Sequence, residues 1–160
     1  MQQTITKYGV LAGLVMVALG WANFFVTRPM GYGAAEVGGY LSIIVALTFV
    51  YFGIRHYRDM VMEGVISFRK AVRTGLLISL IPAFFMLIST IIFMVTFGDQ
   101  WMDWAMESMS DEQRAQYAAA PPWMLNPLFQ GVVMFGTVYL IGIIMTLISA
   151  LLLKRELKPA

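Results

Sequence analysis

The chain has 160 residues, enough for one domain, and 59% of them are hydrophobic while only 12% are charged. Soluble globular domains carry about 25% charged residues, so this composition excludes a water-soluble globule. With no cysteine and a single histidine, His56, the chain cannot form disulfides, cysteine metal sites or sites that need two imidazoles. The net charge of +2 comes without a basic stripe interleaved with aromatic residues, so neither a nucleic-acid partner nor a cofactor is expected.

Four apolar blocks predict membrane-spanning helices, over about residues 8–26, 37–54, 74–97 and 128–153. Each block has close to the ~20 residues that cross ~30 Å of hydrocarbon, where the backbone must satisfy its own hydrogen bonds. The first block is longer than the apolar region of a secretory signal and lacks a convincing cleavage site, so we interpret it as a retained span. The predicted fold is an all-α, four-helix transmembrane bundle forming a single domain over residues 1–160.

Lysine and arginine in the short loops predict the topology. With the N-terminus inside, nine of these cations lie on the cytoplasmic side and two on the outer side. The nine are Lys7, Arg55, Arg58, Arg69, Lys70, Arg73, Lys154, Arg155 and Lys158, and the two are Arg28 and Arg114. An even number of spans then places both termini in the cytoplasm, which predicts a multi-pass protein of a cytoplasmic (inner) membrane.

Small residues at four-residue spacing predict the faces through which the spans pack, because helices in lipid associate by close backbone approach and polar contacts. The candidates are Gly9 and Gly13 in the first span, Gly75 and Ser79 in the third, and Gly142 and Thr146 in the fourth. The favoured interpretation is packing within one chain, and the alternative is a face reserved for a partner or a second copy.

Pro82 removes a backbone hydrogen bond inside the third span and predicts a kink there. No acidic or basic residue lies deep in any span, which argues against proton-coupled transport. A channel lined by backbone and hydroxyl groups is left open.

The inner loop between the second and third spans concentrates positive charge. Its candidate contacts to lipid head groups or to a partner are Arg55, Arg58, Arg69, Lys70 and Arg73. The alternative is ordinary topogenic charge on side chains that extend toward the interface.

The outer loop, residues 98–127, predicts two short interfacial helices. Three acids, Asp99, Asp103 and Glu107, recur at every fourth residue, with tryptophan and methionine between them, which predicts a helix at the membrane surface. Ser110 followed by Gln113 predicts a capping box and a second helix to about residue 119. We interpret the acidic stripe as a solvated face, with a divalent-cation site as the alternative.

Tryptophan in the outer loop is interpreted as an interfacial anchor, the candidates being Trp101, Trp104 and Trp123. A docking surface for a protein outside the membrane is the alternative.

The centre of the chain resembles the signature of DUF4199, a domain-of-unknown-function family of small four-span bacterial membrane proteins. The resemblance rests on Phe52-Gly53-Ile54-Arg55, Tyr57-Arg58-Asp59, Gly64, Ile66-Ser67-Phe68, Ala71 and Gly75. It continues through Asn126-Pro127-Leu128-Phe129, Ser149-Ala150-Leu151 and Lys154-Arg155, and so covers nearly the whole chain. It implies a four-span protein of a bacterial membrane and supplies no catalytic residue.

The function predicted from these features is that of a non-catalytic accessory or scaffold subunit that acts through helix–helix and lipid contacts. Its expected partners are membrane lipids and either another protein or further copies of the same chain. An oligomeric channel or facilitator for a small solute is the alternative. An enzyme is not expected, because the acids at residues 99–107 have no neighbouring base or histidine ligand.

Overall fold

The computed structural model of the protein describes residues 1–155, and the predicted cytoplasmic cation Lys158 lies outside the described residues. The helices follow in the order α1 (Gln2–Thr27), α2 (Tyr32–Val61), α3 (Phe68–Ser108), α4 (Asp111–Ala118) and α5 (Pro127–Leu153), with 3₁₀ turns at Arg28–Met30 and Pro122–Leu125. Four of them, α1, α2, α3 and α5, are long and apolar enough to cross a membrane. The predicted all-α four-helix transmembrane bundle is therefore confirmed.

Each predicted span lies inside one of these four helices, and the helices extend beyond the apolar blocks. We call the end of the bundle that carries the α1–α2 and α3–α5 connections the outer end, following the orientation that the loop charges predict. Around the bundle, α1 packs on α2 and α3, and α5 packs on the same two helices from the other side. α1 and α5 therefore occupy opposite corners, and α2 and α3 meet across the short diagonal.

α3 corrects one prediction, because the segment that was expected to form a separate surface helix after residue 98 is the continuation of the third span. The helix runs for 41 residues without interruption, which at ~1.5 Å per residue is about 60 Å, or twice the hydrocarbon thickness. Gly98 costs a helix only about 1 kcal/mol, and no proline follows Pro82 within α3 to end the helix there. α3 thus projects out of the outer end.

Pro82 lies fully buried near the middle of the apolar part of α3, and the helix continues on both sides of it. The kink that its missing N–H predicts stays a prediction.

The predicted small residues of the third and fourth spans meet each other in the centre of the bundle. The Ser79 hydroxyl donates to the Gly75 carbonyl at 2.9 Å and lies 3.3 Å from both the Gly142 carbonyl and the Thr146 hydroxyl. A Cβ atom on Gly75 would lie 2.5 Å from Thr146 Cγ2, and one on Gly142 would lie 2.7 Å from Ser79 Cβ. We call these four residues the α3–α5 node. A side chain at either glycine would overlap a side chain of the facing helix, so these glycines allow α3 and α5 to pack closely.

The small residues of α1 face α3 instead. A Cβ atom on Gly9 would lie 2.5 Å from Ile81 Cδ1, and one on Gly13 would lie 2.6 Å from Phe85 Cγ. These two glycines therefore make room for large side chains, whereas the glycines of the node make room for the small side chains of Thr146 and Ser79. All six candidate packing residues are buried inside one chain.

Replacing Gly142 with alanine is expected to destabilise the bundle by about 1–3 kcal/mol, because the new methyl group would lie 2.7 Å from the Ser79 Cβ atom of the facing helix. Gly136→Ala is the matched control, since it lies on the same helix and a Cβ atom there meets nothing within 4 Å. Thermal unfolding of the two purified variants in the same detergent measures the difference. Equal midpoints would contradict the close approach at the node.

Candidate functional site

The inner end of the bundle is closed by a set of contacts centred on Arg58. This residue is only 8% exposed, and its Nε donates to the Asp59 carboxylate at 2.6 Å. Its Nη1 also donates to the Leu153 carbonyl at 3.4 Å, which is one of the last carbonyls of α5 and has no partner within that helix. A guanidinium at this position is also favoured by the negative end of the α5 dipole.

The loop that follows α2 is fastened to the same end of α5. Ile66 and Arg155 exchange two backbone hydrogen bonds, each 3.0 Å long. Gly64 makes the required turn with a positive φ of 85°, which glycine adopts without steric cost, while its N–H donates to the Arg58 carbonyl at 2.9 Å. We call the group of Arg58, Asp59, Ile66, Leu153 and Arg155 the inner clamp.

The inner clamp corrects one predicted contact and leaves four as predictions. Arg58 points into the protein and is therefore not presented to lipid head groups. The other four candidates, Arg55, Arg69, Lys70 and Arg73, are exposed around it and remain predicted contacts to head groups or to a partner. Ser67 occupies the N-cap position of α3 without a side-chain capping bond.

Arg58→Gln is expected to lower the unfolding midpoint by about 3–6 °C, because it leaves the Leu153 carbonyl and Asp59 without their guanidinium partner. Arg55→Gln is the control, since Arg55 approaches the same carboxylate at 3.6 Å but its side chain is 56% exposed. That change is expected to have little effect, as is usual for solvent-exposed ion pairs. Thermal unfolding followed by circular dichroism measures the midpoint of each variant. Equal shifts would show that the buried contacts of Arg58 stabilise the fold no more than the exposed ion pair of Arg55.

At the outer end, the α1–α2 turn is held against the projecting part of α3. Trp104 donates from Nε1 to the Arg28 carbonyl at 2.9 Å, and its ring packs edge-on against Phe24 at 6.0 Å and beside Tyr32 at 6.2 Å. Asn23 donates to the Ala35 carbonyl at 2.8 Å. These contacts join α1, α2 and α3 at the outer end of the bundle.

The three predicted interfacial anchors have different surroundings. Trp104 is only 7% exposed, which corrects its assignment as a membrane anchor, because a ring enclosed by protein offers no surface to lipid. Trp101 is half-buried beside Tyr117. Trp123 is 56% exposed and remains a predicted anchor.

The second predicted helix of the outer loop is present as α4, and both bonds of the capping box between Ser110 and Gln113 are made. Arg114 ties α4 back to the end of α3 by donating to the Met106 carbonyl at 2.6 Å and to the Met109 carbonyl at 3.2 Å. The acidic stripe of Asp99, Asp103 and Glu107 is exposed. Across residues 1–155, no three histidine, cysteine or acidic side chains are grouped closely enough to hold a metal ion.

Trp104→Phe is expected to lower the free energy of local opening of the outer end by roughly 1 kcal/mol, because it keeps an aromatic ring but removes the hydrogen bond to Arg28. Amide hydrogen exchange in α4 and in the last turns of α3 measures this, and faster exchange is expected. Trp123→Phe, at an exposed position, is the control and should leave the exchange rates unchanged. If both variants exchange alike, the bond to Arg28 does not support the outer end.

Between these outer contacts and the α3–α5 node lies a cavity of about 400 Å³, to which all five helices contribute. Its deepest residues are Met16, Ile43 and Met86, which are buried about midway along α1, α2 and the apolar part of α3. Seven aromatic side chains line it: Trp21, Phe24, Tyr32, Phe93, Trp101, Trp104 and Tyr117. We call it the outer cavity.

Most polar side chains of the outer cavity already have protein partners. Trp21 donates to the Ser89 hydroxyl at 2.8 Å, Ser42 to the Gly38 carbonyl at 2.7 Å, and Gln130 to the Met124 carbonyl at 2.8 Å. Burial raises the pKa of the Tyr117 hydroxyl, with a smaller contribution from Tyr32, so this hydroxyl stays neutral at physiological pH. Among the lining residues in the described part of the chain, Glu36 is the one with a formal charge, and it is exposed.

Sequence reasoning missed this cavity. Tyr32 and Glu36 precede the second apolar block and read as flanking residues, although their four-residue spacing places them on one helix face. Tyr117 and Phe93 lie far apart in the chain, and only the return of α4 toward α2 brings Tyr117 to the cavity. The one available signal was the unusual density of aromatic residues near the outer ends of the spans.

The four helices that are long and apolar enough to cross a membrane are those of a polytopic α-helical membrane protein. The model of the family described as "Protein of unknown function (DUF4199)" matches residues 7–155, and the chain belongs to this family. Neither the curated proteins nor the solved structures contain a match.

Proposed function

We propose that the protein is a non-catalytic accessory or scaffold subunit of a bacterial cytoplasmic membrane, which acts through contacts with lipids and with a protein partner. The observation that carries this proposal is the closure of the α3–α5 node. Ser79 and Thr146 are fully buried, and the Ser79 hydroxyl bonds to both helices. A pore between copies would need such hydroxyls on the surface of the chain, but these two face its interior.

The shape of the outer end supports a role that depends on binding a protein partner. α3 carries its exposed acidic stripe well beyond the apolar part of the bundle, and the Trp104 and Arg114 hydrogen bonds hold this extension in place. A rigid, charged projection limits the ordering entropy that a partner must overcome on binding. The exposed arginines of the inner loop offer a second surface of opposite charge.

Extraction of the native protein in polymer-bounded membrane discs is expected to yield a particle that contains a second protein at a fixed ratio. Particle mass and identification of the co-purifying chains measure this. A symmetric particle of this chain alone would contradict the accessory role and would favour the channel alternative. Flux assays in liposomes would then test that alternative, with an absence of signal above empty vesicles excluding it.

The proposed orientation is testable because the chain contains no cysteine. A single cysteine introduced as Glu107→Cys in the exposed acidic stripe is expected to react with a membrane-impermeant maleimide on intact cells. Arg69→Cys on the inner loop is expected to react only after lysis. Both positions are exposed in the folded chain, so reaction of the inner variant alone on intact cells would reverse the assigned topology.

A further inference from the structure

The outer cavity combines an aromatic wall with a single negative charge. We propose that this cavity binds a small organic cation, an ammonium group carried on an apolar body. Its receptor is the Glu36 carboxylate together with the rings of Tyr32, Trp101, Trp104 and Tyr117.

The aromatic wall supplies the chemistry that recognises such a cation. The face of an aromatic ring carries negative potential and attracts ammonium groups within ~6 Å of its centre. The rings of Tyr32 and Trp104 are tilted at 40° to each other with centroids 6.2 Å apart, and those of Trp101 and Tyr117 at 52° and 6.3 Å. All four rings line the cavity and are the aromatic groups offered to the cation.

A cation already interacts with this aromatic cluster from outside the cavity. The Arg28 guanidinium carbon lies 5.7 Å from the centroid of the Phe24 ring, and Arg28 is not among the lining residues. One ring of the cavity lining therefore already interacts with a positive charge in the folded protein.

Glu36 determines the sign of the charge that the cavity favours. It lies one helical turn from Tyr32 on α2, and both residues line the cavity. No lysine or arginine accompanies it among the lining residues of the described chain, so the formal charge of the lining is −1. Because Glu36 is exposed, it can attract a cation without a large desolvation cost.

The size and depth of the cavity fit an apolar body attached to the charged group. A volume of about 400 Å³ falls within the ~300–1,000 Å³ of small-molecule sites. Its deep end is formed by Met16, Ile43 and Met86, and methionine side chains adapt readily to the shape of an apolar ligand. The charged group then remains near Glu36 at the accessible end.

Two probes of the same shape test the charge preference. Phenyltrimethylammonium is positively charged, and tert-butylbenzene replaces its nitrogen with carbon and is neutral. Binding is measured by calorimetry on the full chain in neutral maltoside micelles, which contain no competing ammonium group. The charged probe is expected to bind about tenfold more tightly than the neutral one.

Matched variants assign the effect to named residues. Glu36→Gln is expected to weaken binding of the charged probe about fivefold and to leave tert-butylbenzene unchanged. Glu107→Gln removes one negative charge from the exposed acidic stripe outside the cavity and should change the affinity for neither probe. Trp101→Leu is expected to lower the affinity for the charged probe at least threefold. Trp123→Leu, outside the cavity, should leave that affinity unchanged.

Three results would overturn the proposal: equal or tighter binding of tert-butylbenzene, equal losses in Glu36→Gln and Glu107→Gln, or no saturable binding of either probe. Tighter binding of the neutral probe would make the cavity a site for an uncharged apolar molecule. None of these results depends on a protein partner, so the accessory role can fail or hold independently.

Discussion

The close approach of α3 and α5 at Gly75, Ser79, Gly142 and Thr146 is the contact on which the rest of the bundle depends. In lipid, helices gain little from burying apolar side chains, so association relies on backbone proximity and on polar groups that find partners inside the protein. Ser79 meets both requirements, because its hydroxyl bonds to its own helix and reaches the facing one. With α3 and α5 joined in this way, α1 packs on α3, and α2 packs on both α1 and α5.

The two ends of the bundle are then closed by different means. At the inner end, a buried guanidinium and a pair of backbone hydrogen bonds join the loop after α2 to the end of α5. At the outer end, aromatic rings and the Trp104 hydrogen bond join α1, α2 and the projecting part of α3. Aromatic rings packed edge to face leave more space between helices than interlocking glycines and hydroxyls do. The cavity accordingly lies in the outer half.

Membership of DUF4199 places the chain in a family without transferring a role to any residue. The functional argument therefore depends on geometry alone. Buried hydroxyls at the centre argue for a closed scaffold, while the carboxylate and rings at the outer end argue for a small ligand. These two features are compatible, because a scaffold that carries a ligand site can respond to the ligand through the helices that line it.

Much of this protein could be predicted from the sequence alone: the number and position of the spans, the residues at the α3–α5 node, and the capping box of α4. These depend on composition and on short-range spacing, which act within one helix. Only the tertiary structure decided that Arg58 and Trp104 turn inward and that Glu36 shares a cavity with Tyr117. The physical reason is that each of these depends on partners distant in sequence: Arg58 acquires the Leu153 carbonyl, and Trp104 the Arg28 carbonyl, only when separate helices meet.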